Sequence, residues 1–134
     1  MRPALALLAA LALVFAGCGG SSQPSDEDQI KATLRDYYVA FANGDAESAC
    51  ADLASDVQVQ FAKQSGTEDC PGAIAKARQR PDTRRYTSSF KDAEILSVEV
   101  AGDKAVARVR AIGATQKIPL RREGKEWKID ALER

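Results

Sequence analysis

Ser89–Leu132 reads SFKDAEILSVEVAGDKAVARVRAIGATQKIPLRREGKEWKIDAL, and along it the apolar residues recur with a period of two. Leu96, Val98 and Val100 fall on one face of an extended chain, and Ala105, Ala107, Val109 and Ala111 do so on the next. Alternation of this kind marks strands buried on one side. The pattern predicts four of them, Ser89–Val100, Ala105–Ile112, Thr115–Arg122 and Glu126–Leu132. Gly102-Asp103, Gly113-Ala114 and Glu123-Gly124-Lys125 separate them and are short enough for hairpins, so the sheet is expected to be an antiparallel meander. Ile118, Leu120, Trp127 and Ile129 are its further anchors. Pro119 removes a ladder hydrogen bond and belongs at a bulge or on a side facing away from a partner strand.

Upstream of Tyr86 the period is that of helices. Ser25 followed by Asp28 approximates a capping box, and Ile30, Leu34, Tyr37, Tyr38 and Phe41 make one apolar face before Asn43-Gly44 ends the helix. Asp45 caps a second, shorter helix with Ala46, Ala49, Cys50 and Leu53 on one side. Asp56 to Lys63 fits a strand through Val57, Val59 and Phe61, or a short helix through Val57, Phe61 and Ala62. Cys70-Pro71 opens another helix running to about Gln79.

The chain begins Met1-Arg2-Pro3 and continues with fourteen residues, ALALLAALALVFAG, free of charge, up to Cys18. One positive residue, an apolar run and a small-residue exit form an export signal, and the run is shorter than the roughly 20 residues of a spanning helix. Residues 1–17 are therefore expected to be a signal peptide. Gly19-Gly20-Ser21-Ser22-Gln23-Pro24-Ser25 has the composition of a flexible tether, placed at residues 18–27, and 28–134 form one domain. Removing the signal takes away one of the 19 basic residues, Arg2, against 19 acidic ones, which leaves a charge near −1 and implies no nucleic-acid partner. In an exported chain Cys50 and Cys70, the two cysteines besides Cys18, suggest a disulfide. With no histidine in the chain, two cysteines cannot fill a usual zinc site, so neither metal nor cofactor is expected.

Ala16-Gly17-Cys18 resembles the lipobox of bacterial lipoproteins, with Phe15 where leucine is commonest. The resemblance implies a diacylglyceryl thioether and an N-acyl group on Cys18, holding the chain on the outer side of the cell membrane. Leu34-Arg35-Asp36-Tyr37-Tyr38-Val39-Ala40-Phe41-Ala42-Asn43-Gly44-Asp45, Cys70-Pro71 and the ending Leu120-Arg121-Arg122-Glu123-Gly124-Lys125-Glu126-Trp127-Lys128-Ile129 resemble small actinobacterial lipoproteins of the NTF2-like (cystatin-like) group. That resemblance implies an α+β fold with N-terminal helices packed on a curved four-stranded antiparallel meander, the shape of a cone. Its members include isomerases, dehydratases, ligand binders and structural modules, so fold alone assigns no function.

Without histidine the proton-transfer residue best suited to neutral pH is missing. A histidine-free isomerase or dehydratase would have to pair Tyr37 or Tyr38 with Asp36 or Asp130, and a non-catalytic domain is the expectation. Tyr37, Tyr38, Phe41, Phe61, Tyr86, Phe90 and Trp127 either line a pocket for a small hydrophobic ligand or simply fill the core. Lys76, Arg78, Arg80, Arg84 and Arg85 crowd one segment. Arg108, Arg110, Lys117 and Arg121 form a candidate basic face, open to an anionic headgroup or an acidic envelope protein, or neutralised by cross-strand acids. Ile95, Val106 and Ile112 are expected on the outer sheet face, where a homodimer could form.

Overall fold

The computed structural model describes residues 22–132. The signal peptide, Cys18 and the first part of the tether lie outside the described residues. Ser22–Ser25 is irregular, and helix α1 occupies Asp26–Asn43. The Ser25 hydroxyl oxygen accepts the Asp28 N–H, and Asp26, Glu27 and Asp28 place negative charge at the helix's positive end. Helices α2 (Ala46–Ala51), α3 (Ser55–Ser65), α4 (Cys70–Gln79) and α5 (Pro81–Arg84) follow, then a 3₁₀ helix over Thr87–Asp92.

The ambiguous segment after Asp56 is therefore helical. Val57 and Ala62 are buried while Val59 is exposed, the division a helix makes and an alternating strand does not. Its first turn is held from a distance, because the Ser55 N–H and hydroxyl both donate to the Glu123 carboxylate, at 2.8 and 2.9 Å.

Strands β1 (Glu94–Ala101), β2 (Lys104–Ala111), β3 (Ala114–Glu123) and β4 (Glu126–Ile129) pair antiparallel in sequence order. The α+β class and the meander stand, but the curved cone does not. The sheet is open: the ladders run from each strand to the next, with no pairing between β1 and β4 to close it. Curvature in such sheets comes from bulges and kinks. Here the register shifts only between Ile95 and Ser97, and β2–β3 runs unbroken through eight residue pairs. Pro119 sits opposite Val106 without a bulge, and its carbonyl turns to the β4 side, where it accepts the Asp130 N–H.

Strand limits differ too. Ser89–Asp92 belongs to the 3₁₀ helix, and β4 stops at Ile129. Leu96 is the extra residue of the β1 bulge and is exposed, while Ile95 turns inward with Val98 and packs on the core. Ile112 lies in the β2–β3 turn at φ 52°, followed by Gly113 at 75°. Ile95, Val106 and Ile112 thus share no common outer face.

The helices cover one side of the sheet. Ile30, Leu34, Leu53, Ile74, Val109, Leu120, Trp127 and Ile129 are its fully buried large side chains. Leu53 bridges Ile129 in parallel, and Ala54 N–H donates to the Ile129 carbonyl, so the chain between α2 and α3 caps the β4 edge. Cys50 in α2 and Cys70 in α4 are joined by a disulfide, which ties together two alanine-rich helices with little apolar area each.

Candidate functional site

One apolar face of α1 reaches beyond the sheet toward α3, α4 and α5, and the space between them is a cleft of about 610 Å³. Leu34, Tyr37, Tyr38 and Phe41 from α1 line it with Ile118 and Ile129 of the sheet and with Phe61, Phe90 and Leu132. The rings are in mutual contact. Tyr38 and Phe90 lie nearly parallel with centroids 6.1 Å apart, Phe41 meets Phe90 edge to face at 5.1 Å, and Tyr37 meets Tyr38 in the same way at 5.4 Å. Burial pushes the Tyr37 hydroxyl far above the ordinary tyrosine value, with Tyr38 and Asp52 adding to the effect, so it stays protonated.

Gln64, Ser65, Arg80, Asp82, Thr83 and Gln116 supply the polar lining. Arg80 Nη2 and Nε donate to the two Asp82 carboxylate oxygens at 2.9 and 3.2 Å. Desolvation alone would raise the Asp82 carboxyl, but Arg80 and the backbone N–H groups of Asp82 and Thr83 outweigh it and hold the group below its ordinary value. An aromatic and apolar lining with hydrogen-bonding side chains, and a volume inside the roughly 300–1,000 Å³ of small-molecule sites, have the composition and size of a binding cleft.

Tyr37, Tyr38, Phe41, Phe61 and Phe90, of the seven expected aromatic residues, come together in this cleft. Trp127 does not. It is 2 % exposed at the other end of α1, where its indole N–H donates to Asp26 at 3.2 Å and the Arg122 guanidinium stands 4.7 Å from the ring centroid. Tyr86 is also absent from the lining and is 41 % exposed. The polar lining was not legible, since it is contributed by the end of α3, the residues at α5 and Gln116 of β3, which only the tertiary fold brings to α1.

The acid–tyrosine pairs fare differently. Asp130 bonds to Arg121 at 2.9 Å, and Asp36 lies on the opposite side of α1 from the cleft, in an open notch with Asp45 and Asp52. Asp52 was missed by sequence reading. Burial, the neighbouring Asp36 and Glu126 push its carboxyl up to about 6 against the opposing pull of Lys128, and one of its oxygens is buried without a hydrogen-bond partner. A carboxylate at the C-terminal, negative end of α2 was the signal available.

The candidate basic residues do share the outer sheet face, Arg108 directly opposite Lys117. Arg110 is paired with Glu94, however, and Arg121 with Asp56, Glu123 and Asp130. In the other basic segment Lys76 donates to the Ser65 carbonyl and Arg78 to that of Ala42. Among the described residues no group of His, Cys, Asp or Glu side chains could hold a metal ion, and no helix is long and apolar enough to cross a membrane.

Comparison with protein-family profiles, with characterised proteins and with solved structures finds no match for this chain.

Proposed function

We propose that the chain is a membrane-tethered, extracytoplasmic lipoprotein whose folded domain is non-catalytic and binds a small, largely apolar molecule in the cleft beneath α1. The single observation that carries the binding reading is the cleft itself, about 610 Å³, with five aromatic side chains and six polar ones in its lining. Besides packing on one another, the rings border this open space together with residues of α3, α4, α5 and the sheet. The tether reading rests on the sequence: an apolar leader, the Ala16-Gly17-Cys18 lipobox and the Gly/Ser run after it. A lipid on Cys18 with more than one acyl chain would provide stable anchoring.

The test is a titration of residues 22–134, folded in an oxidising compartment, with N-phenyl-1-naphthylamine, an uncharged probe that fluoresces in apolar surroundings. Saturable binding at one site is expected, abolished by Ala77→Trp, which places an indole in the cleft. Equal binding by the Ala77→Trp chain would sink the cleft as the site.

A further inference from the structure

We infer that the ligand of the cleft is uncharged, with a flat apolar body and a hydrogen-bonding carbonyl, amide or hydroxyl at one end; the inference rests on the cleft being the binding site. Charge is decided by the lining. Among the described residues, the ionic side chains of the lining are Arg80 and Asp82; both stand at its exposed edge and hold each other through two hydrogen bonds, Nη2 to Oδ2 at 2.9 Å and Nε to Oδ1 at 3.2 Å. Lys76 is not part of the lining and donates to the Ser65 carbonyl at an exposed position. Tyr37 keeps its proton and offers no anion to a cationic ligand.

A carboxylate, phosphate or ammonium placed among the buried rings of Tyr37, Tyr38 and Phe41 would leave water without gaining a counterion there, because the Arg80–Asp82 pair stands at the exposed edge. Moving an unpaired charge out of water costs far more than moving an amide or hydroxyl that finds hydrogen-bond partners. Gln64, Gln116 and Thr83 are such partners, the glutamines offering both donors and acceptors. The flat body follows from the aromatic lining, where Tyr37, Tyr38, Phe41 and Phe90 form a continuous set of ring faces and edges.

Three molecules with one body and different charge separate the possibilities: 2-naphthamide, 2-naphthoate and 2-naphthylmethylammonium. Their binding is measured by equilibrium dialysis to the chain as exported, held in phosphatidylcholine nanodiscs, with empty nanodiscs and the Ala77→Trp chain as blanks. The amide is expected to bind roughly tenfold more tightly than either ion. Asp82→Asn, which frees the Arg80 guanidinium, is expected to raise naphthoate affinity several-fold relative to that of the amide. Tighter binding of either ion by the unaltered chain, or no gain for naphthoate in Asp82→Asn, overturns the inference while leaving the cleft as a site. Binding of none of the three above the blanks overturns the cleft reading with it.

Discussion

The guanidinium of Arg78 lies against the α-carbon of Gly44, so closely that a β-carbon there would stand 2.6 Å from Nη1. Gly44 ends α1 at φ 81°, and Arg78 Nη2 donates to the Ala42 carbonyl at 3.1 Å, joining α4 to the C-terminus of α1. Gly44→Ala must therefore adopt a left-handed backbone and displace Arg78. It is expected to cost about 2 kcal/mol in urea unfolding, and about half of that in an Arg78→Ala background, where only the backbone strain remains. Equal costs in the two backgrounds would contradict the contact.

The Cys50–Cys70 disulfide spans 20 residues of sequence and holds α4, the wall of the cleft that carries Ala77, against α2. Replacing both cysteines with alanine is expected to lower stability by about 3 kcal/mol and to weaken probe binding as well. Unfolding midpoints of the two chains in urea, with unchanged slopes, supply the measurement. A loss below about 1 kcal/mol would show that helix packing alone fixes α4.

Asp52 reverses the usual acid dependence of a carboxylate. Its carboxyl is pushed up to about 6, so between the unfolded value near 3.9 and 6 the native protein retains a proton the unfolded chain has released. Its contribution to stability is fully present below about pH 3.9, is lost as pH rises through 6, and leaves a charged, poorly solvated group above it. Because the side chain is only half-buried, solvent screening limits the effect to about 1 kcal/mol or less. Asp52→Asn is expected to stabilise the protein at pH 7.5 and to make no difference at pH 4, as followed by thermal unfolding at the two pH values. A gain of the same size at both would assign it to something other than charge.

The two-residue turn between β2 and β3 places Ile112 at φ 52° ahead of Gly113 at 75°. Positive φ suits asparagine or glycine, and a β-branched side chain is strained there. Ile112→Asn is expected to stabilise the hairpin by about 1 kcal/mol. A neutral or destabilising result would mean that the exposed isoleucine makes a contact that offsets its backbone.

Much of this fold is legible in the sequence because its signals are local. Ser25 and Asp28, the α1 stripe from Ile30 to Phe41, Gly44, and the alternation from Val98 to Ile129 each express a period or a cap that neighbouring residues fix. The bulge at Leu96 is not of that kind: it reverses which face Ile95 takes, and an unbroken reading of Leu96, Val98 and Val100 hides it. The absence of a curved, closing cone is likewise a property of ladders between distant strands. Ser89 and Phe90 read as the start of a strand because the 3₁₀ turn has no apolar period of its own. In the site, Tyr37, Tyr38 and Phe41 were visible from their helical spacing, while Gln64, Asp82 and Gln116 meet only through tertiary packing. Trp127 reads in the sequence both as an anchor of the last strand and as a candidate for the pocket; it is buried in the core, where Asp26 and Arg122 hold it at the opposite end of α1.

Native mass spectrometry of the domain, residues 22–134, isolated gently from its own host without added ligand, tests the binding reading most directly. A reproducible extra mass, belonging to an uncharged molecule and lost in the Ala77→Trp chain, is expected. A chain that flies only at its own mass, whether singly or as a dimer, or an adduct that persists undiminished in Ala77→Trp, would contradict it.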